Sequence, residues 1–135
     1  MASKPETIFV QRAAYRDPDL LNTLKDILDK AKNPKDLRFG ISWQHSPEDE
    51  WDNLSEYLDD DRFRILDIPH EDSKGACWAR NLLQQLYSGE TYTLQIDSHT
   101  RFIPNWDYEI KKEYKRLVKK GIKKHTHLTI VSASK

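Results

Sequence analysis

The run Tyr92-Thr-Leu-Gln-Ile-Asp97-Ser98-His99 sets a carboxylate and an imidazole two residues apart at the end of an apolar stretch. In extended backbone, residues two apart point the same way. One anionic oxygen and one neutral nitrogen suit a borderline cation such as manganese, completing its octahedron with water, phosphate oxygens and a further side chain. The same pattern also describes an aspartate that caps a turn beside a surface histidine. A second run, Ser73-Lys74-Gly75-Ala76-Cys77-Trp78-Ala79-Arg80-Asn81, opens a helix with glycine beside a lysine. A helix N-terminus next to a cation is a good seat for a diphosphate. It is equally the pattern of a plain helix start with an exposed cation.

Both runs need elements that bring them to one place. Ile8 to Gln11 reads as a short strand, and Asp17-Pro18 as an N-cap with proline at the first helical position. Leu20, Leu21, Leu24, Ile27, Leu28 and Ala31 then follow helical spacing until Asn33-Pro34. From Leu37 the period becomes two, with Leu37, Phe39, Ile41 and Trp43 on one side. Ser46-Pro47-Glu48-Asp49 resembles a capping box, which predicts a helix carrying Trp51, Leu54, Tyr57 and Leu58 inward as far as Asp59-Asp60-Asp61.

Phe63 to Ile68 is a third strand, followed by a helix with Ala76, Ala79, Leu82, Leu83 and Leu86 inward and Ser88-Gly89 at its end. Tyr92 to Asp97 is a fourth strand, a helix from about Asp107 to Lys120 stops at Gly121, and Leu128 to Val131 is a fifth strand. Four strand–helix alternations predict an α/β fold: an open, mostly parallel sheet with helices on both faces. Ligands of such sheets bind beyond the carboxyl ends of the strands, which selects Arg12 to Asp17, Gln44 to Ser46, His70 to Arg80 and Asp97 to Arg101.

A chain of 135 residues has room for one domain, here expected over 1–135. Lys plus Arg and Asp plus Glu number 22 each, so no long-range field favours nucleic acid or an anionic membrane. The four glycines form neither a Walker loop nor a GxGxxG fingerprint, and Gly-x-Ser-x-Gly and His-Glu-x-x-His are absent. A single cysteine, Cys77, excludes an internal disulfide and points to a reducing compartment. No signal core and no run of ~18 apolar residues occurs, so the expectation is a soluble cytoplasmic protein.

Phe9-Val-Gln-Arg-Ala-Ala-Tyr-Arg-Asp17, Arg38-Phe-Gly-Ile-Ser-Trp-Gln-His45, Lys74-Gly-Ala-Cys-Trp-Ala-Arg-Asn81 and Gln95-Ile-Asp-Ser-His99 resemble, in order, the GlcNAc transferase family, which includes a cytoplasmic hydroxyproline GlcNAc transferase. The likeness runs from about Thr7 to Asp107, and Asp-Ser-His is similar to the triplet of polypeptide GalNAc transferases. The resemblance implies a GT-A-like nucleotide-diphospho-sugar fold, a UDP-GlcNAc or related donor, a protein or glycan hydroxyl acceptor, and retention of anomeric configuration. It also implies a divalent metal bridging the two phosphates.

Carried over by residue, Asp97 and His99 become metal ligands and Ser98 a ribose or phosphate contact. Ala13, Arg16 and Asp17, with Gln44 and His45, flank the uridine, while Lys74 and Arg80 face the diphosphate or brace the metal carboxylate. Family members continue into a segment that binds acceptor and supplies a third metal ligand. Neither His125 nor His127 is an obvious replacement, and no catalytic base stands out, so the expectation is a donor-binding part that holds UDP-GlcNAc without appreciable transfer. The alternative is a non-catalytic nucleotide-sugar-binding or interaction module on the same fold.

Overall fold

The computed structural model describes residues 6–96, 101–119 and 127–129, the last three by backbone alone. Its strands are β1 (Ile8–Tyr15), β2 (Leu37–His45), β3 (Phe63–Pro69), β4 (Tyr92–Gln95) and β5 (His127–Thr129). They form one sheet in the order β3-β2-β1-β4-β5, with every neighbouring pair parallel. Helices α1 (Leu20–Lys30), α2 (Ala76–Gln84) and α3 (Trp106–Lys119) complete the described elements.

Register divides the sheet into two faces. Ile8 pairs with Leu37 and Tyr92, and Val10 with Phe39 and Leu94, so these residues share a face. They are buried with Leu20, Leu24 and Ile27 of α1 and Trp106 of α3, against which Ile110 and Tyr114 also pack. Full burial of each aliphatic side chain contributes about 2 kcal/mol, which is what fixes α1 to the sheet. Phe9 points to the other face, where α2 buries Ala79 and Leu83. Gly40 lies opposite: a Cβ there would stand 2.6 Å from Phe9 Cζ, so the ring occupies the space a side chain would need.

Residues 101–107 run along α1 from one end to the other. Arg101 reaches Asp19 (2.7 Å), the Phe102 N–H donates to Asp26 (2.7 Å), and the Trp106 indole N–H donates to the Ile27 carbonyl (3.0 Å). The Asn105 N–H donates to the Lys30 carbonyl (2.7 Å), and buried Asp107 accepts the N–H groups of Lys32 and Asn33 (2.7 and 2.8 Å). The Lys30 carbonyl, which the helix itself cannot satisfy, therefore finds its donor in this strap, and the Ile27 carbonyl gains a second one beside the Ala31 N–H. It leaves α3 starting beside the amino ends of the strands. Its middle stays there, since Tyr114 meets Tyr92 edge-on and Lys115 pairs with Glu6.

The helix expected after Ser46 does not form. Residues 46–62 run as successive turns with one short 3-10 segment, Ser55–Tyr57, and Trp51 and Leu58 are exposed. Side chains capture the backbone here: Ser46 Oγ accepts from the Glu48 N–H, and Asn53 from the Ser55 N–H. Such local bonds compete with a helical ladder. Asp49 and Asp52 are in addition pulled away by partners on other elements. Of the four expected helices three are present, and β2 returns to β3 through this loop.

Two smaller differences concern boundaries. β1 continues to Tyr15, four residues past the hydrophobic run. Helix α1 starts at Leu20, with Asp17 Oδ1 accepting the Asp19 N–H in a turn ahead of it.

Candidate functional site at the carboxyl edge

From β1 the chain builds outward to β2 and β3, then returns to the other side of β1 as β4. The reversal lies between β1 and β4, and at such a switch point the loops diverge and leave a crevice beyond the carboxyl ends. On the β4 side the ladder reaches Ile96, whose N–H donates to the Gln11 carbonyl (3.1 Å). Asp97, Ser98 and His99 come next in the chain and lie outside the described residues.

On the β1 side the polar groups are cross-linked. Arg12 is buried on the apolar face, and its guanidinium pairs with Asp17. Arg16 adopts a positive φ of 41°, a region non-glycine residues seldom occupy. Three bonds hold it there: its N–H donates to the Gln44 carbonyl (2.8 Å), and its guanidinium makes a two-point pair with Asp49 (2.6 and 2.9 Å). Those bonds hold the Asp49 carboxyl below the usual aspartate range. The buried Gln44 amide donates to the Ala14 carbonyl (3.1 Å), joining the ends of β1 and β2.

His45 stacks flat on Trp43, with centroids 3.5 Å apart and planes 5° apart, and its Nε2 meets Asp67 Oδ1 at 2.5 Å. The Trp43 indole N–H donates to Asp52 Oδ1 (2.8 Å). Asp52 is only 7 % exposed, and its Oδ2 has no hydrogen-bond partner among the described residues. Burial pushes its pKa up, against the lowering effect of the Trp43 bond.

The expected donor-binding residues thus separate into two groups. Arg16, Asp17, Gln44 and His45 gather at the ends of β1 and β2, with Ala13 beside Ser42 two pairs before Tyr15–Gln44 in the ladder. Lys74 is exposed just ahead of α2, which begins at this edge because it follows β3. The Tyr15–His70 ring contact ties that connection to β1 (centroids 6.2 Å). Gly75 takes φ 99°, which a side chain would make costly, and lets the chain turn into α2. Arg80 lies one turn into α2 and is exposed.

Sequence spacing does not single out Asp49, Asp52 or Asp67. The first two lie in the segment that reads as a helix, where an acid looks like a solvated face. Asp67 reads as one position of an alternating strand. The available signal was Trp43, an indole on the apolar face at a strand's carboxyl end, whose N–H needs an acceptor when buried. Among the described residues, no group of three or more His, Cys, Asp or Glu is arranged to hold a metal. Nor is any described helix long and apolar enough to cross a membrane.

An open all-parallel sheet with helices on both faces, whose strand order reverses between β1 and β4, is a GT-A-like arrangement. Within that class, the family model Glycosyltransferase (GlcNAc) matches residues 7–64 and 50–129, spanning β1 to β5. The chain belongs to this glycosyltransferase family. No curated protein and no solved structure matches it.

Proposed function

We propose that this chain provides the donor-binding part of a metal-dependent, retaining glycosyltransferase that uses UDP-GlcNAc or a closely related UDP-sugar. The observation that carries the reading is the cross-linked polar frame of Arg12, Arg16, Asp17, Gln44 and Asp49 beside the β1/β4 reversal. That frame is rigid before any ligand arrives, which lowers the ordering cost of binding. His45 and Gln44 flank the uridine. Lys74, at the start of α2, and Arg80 answer diphosphate charge. Ser98 contacts ribose or phosphate.

Asp97 and His99 would hold the divalent metal, for which manganese fits one carboxylate oxygen and one imidazole nitrogen. When bound, it supplies Lewis-acid stabilisation of the diphosphate leaving group. The protein's own groups position the donor, keep the Lys74 cation near the phosphates, and present the sugar to a protein or glycan hydroxyl in a cytoplasmic setting.

Asp97→Ala and His99→Ala test the reading. Each should weaken metal-dependent UDP binding about 10-fold or more, as loss of one ligand commonly does, with unchanged circular dichroism. Parent-like affinity for UDP and manganese in both folded variants would reduce the triplet to a turn.

A further inference from the structure

Helix α3 lies at the opposite edge of the sheet from the donor crevice and carries a charge pattern that the fold does not use. Its apolar positions, Trp106, Ile110 and Tyr114, turn toward the core. The opposite stripe carries Lys111, Lys112, Lys115, Arg116 and Lys119, five cations among fourteen residues in a chain with no net charge. The pairs 111/115, 115/119 and 112/116 stand four apart, where like charges destabilise a helix by about 0.2–0.5 kcal/mol each. Only part of this repulsion is relieved. Lys115 pairs with Glu6 (2.8 Å), on which Lys111 also acts, and Arg116 pairs with Glu113. Lys112 and Lys119 are exposed, with no hydrogen bond or ion pair among the described residues.

These side chains line a cleft of about 560 Å³ with Tyr108 and Asn33 at one end and Glu6 in its wall. Repeats four apart on a helix are about 6 Å apart along the axis, and alternate residues of an extended chain are about 6.6 Å apart. A strand-like segment with acidic residues at every second position therefore matches the lysine rows in spacing as well as sign.

Two other polyanions fit less well. The stripe has no large apolar side chain to insert into a bilayer, as an interfacial helix does. Its one exposed ring, Tyr108, carries the Lys32 ammonium over one face at 4.3 Å and stands alone, whereas single-stranded nucleic acid stacks on successive aromatic rings.

We propose that this cleft docks an extended acidic polypeptide segment of a partner protein. The docking is independent of donor binding, since the two sites lie at opposite edges of the sheet.

The test is fluorescence anisotropy on the full chain with a labelled peptide in which glutamate alternates with threonine, and with its glutamine counterpart. Parallel arms use a single-stranded oligonucleotide and phosphatidylserine-containing vesicles. The glutamate peptide should bind and weaken with added salt, while the glutamine peptide should not bind. Lys112→Glu and Lys119→Glu should each lower affinity about 10-fold without lowering the thermal midpoint, since each also relieves a like-charge pair, and with UDP binding unchanged. Equal binding of both peptides, or unchanged affinity in the charge-reversal variants, would overturn the proposal. So would capture of only the oligonucleotide or the vesicles, or self-association of the chain that Lys112→Glu abolishes.

Discussion

The two edges of the sheet handle charge in opposite ways. At the carboxyl edge, Arg12, Arg16, Asp17, Asp49, His45 and Asp67 are paired at or just past the ends of β1, β2 and β3, and even Arg16, with its positive φ, is held by three bonds to two partners. At the amino edge, α3 is fastened from beneath by Asp107 and Trp106, while Lys112 and Lys119 on its outer face have no hydrogen bond or ion pair among the described residues. A ligand that must be held in one orientation needs a frame whose side chains are already fixed. A partner held by charge alone needs only a rigid platform with free cations. One sheet supports both arrangements because its helices take up the packing and leave the edges for polar work.

The largest effect should come from the amino edge's fastening. Asp107→Ala removes a buried carboxylate that accepts two charge-assisted backbone hydrogen bonds, from exposed Lys32 and half-buried Asn33. We expect a loss of about 3 kcal/mol, read as a lower urea midpoint with an unchanged slope. A loss within ~0.5 kcal/mol, the range of ordinary surface substitutions, would mean that the strap does not anchor α3.

Gly40→Ala comes next. It would push a methyl group into the Phe9 ring, itself packed against Tyr87 and beneath Arg64, at a cost of about 1–3 kcal/mol by thermal unfolding. An unchanged midpoint would show that the α2 face repacks freely.

A smaller effect is expected from Asp52. Its folded pKa is raised by burial, so the unfolded chain gives up this proton first as pH increases. Its contribution to stability is then full below the unfolded pKa, falls as pH rises toward the folded pKa, and is flat above it. Asp52→Asn keeps an acceptor for the Trp43 indole and removes the charge, so this decline should vanish from a pH series of unfolding midpoints. A decline as steep as the parent's would place its origin elsewhere.

The smallest effect separates the edges most sharply: Lys112→Ala should change stability by less than ~0.5 kcal/mol, because nothing in the fold leans on it.

The sheet was legible because parallel strands with both faces covered carry an apolar period that survives in sequence. β2 and β3 begin where alternation predicts, at Leu37 and Phe63. The helix expected after Ser46 was illegible for a physical reason. Trp51, Leu54, Tyr57 and Leu58 follow helical spacing, but only Leu54 and Tyr57 are buried, and Asp49 and Asp52 bond outside the segment, to Arg16 just past β1 and to Trp43 of β2. The same remoteness hid the Arg16–Asp49 pair, 33 residues apart. The segment Arg12 to Asp17 could be placed at the carboxyl edge, because the end of a strand in an open parallel sheet is marked by topology alone.

The central claim is tested most directly by calorimetric titration of UDP-GlcNAc into the chain with and without manganese. The account predicts one saturable site per chain whose affinity rises about 10-fold or more when manganese is present. Absence of UDP-GlcNAc binding under either condition, in protein shown to be folded, would contradict it.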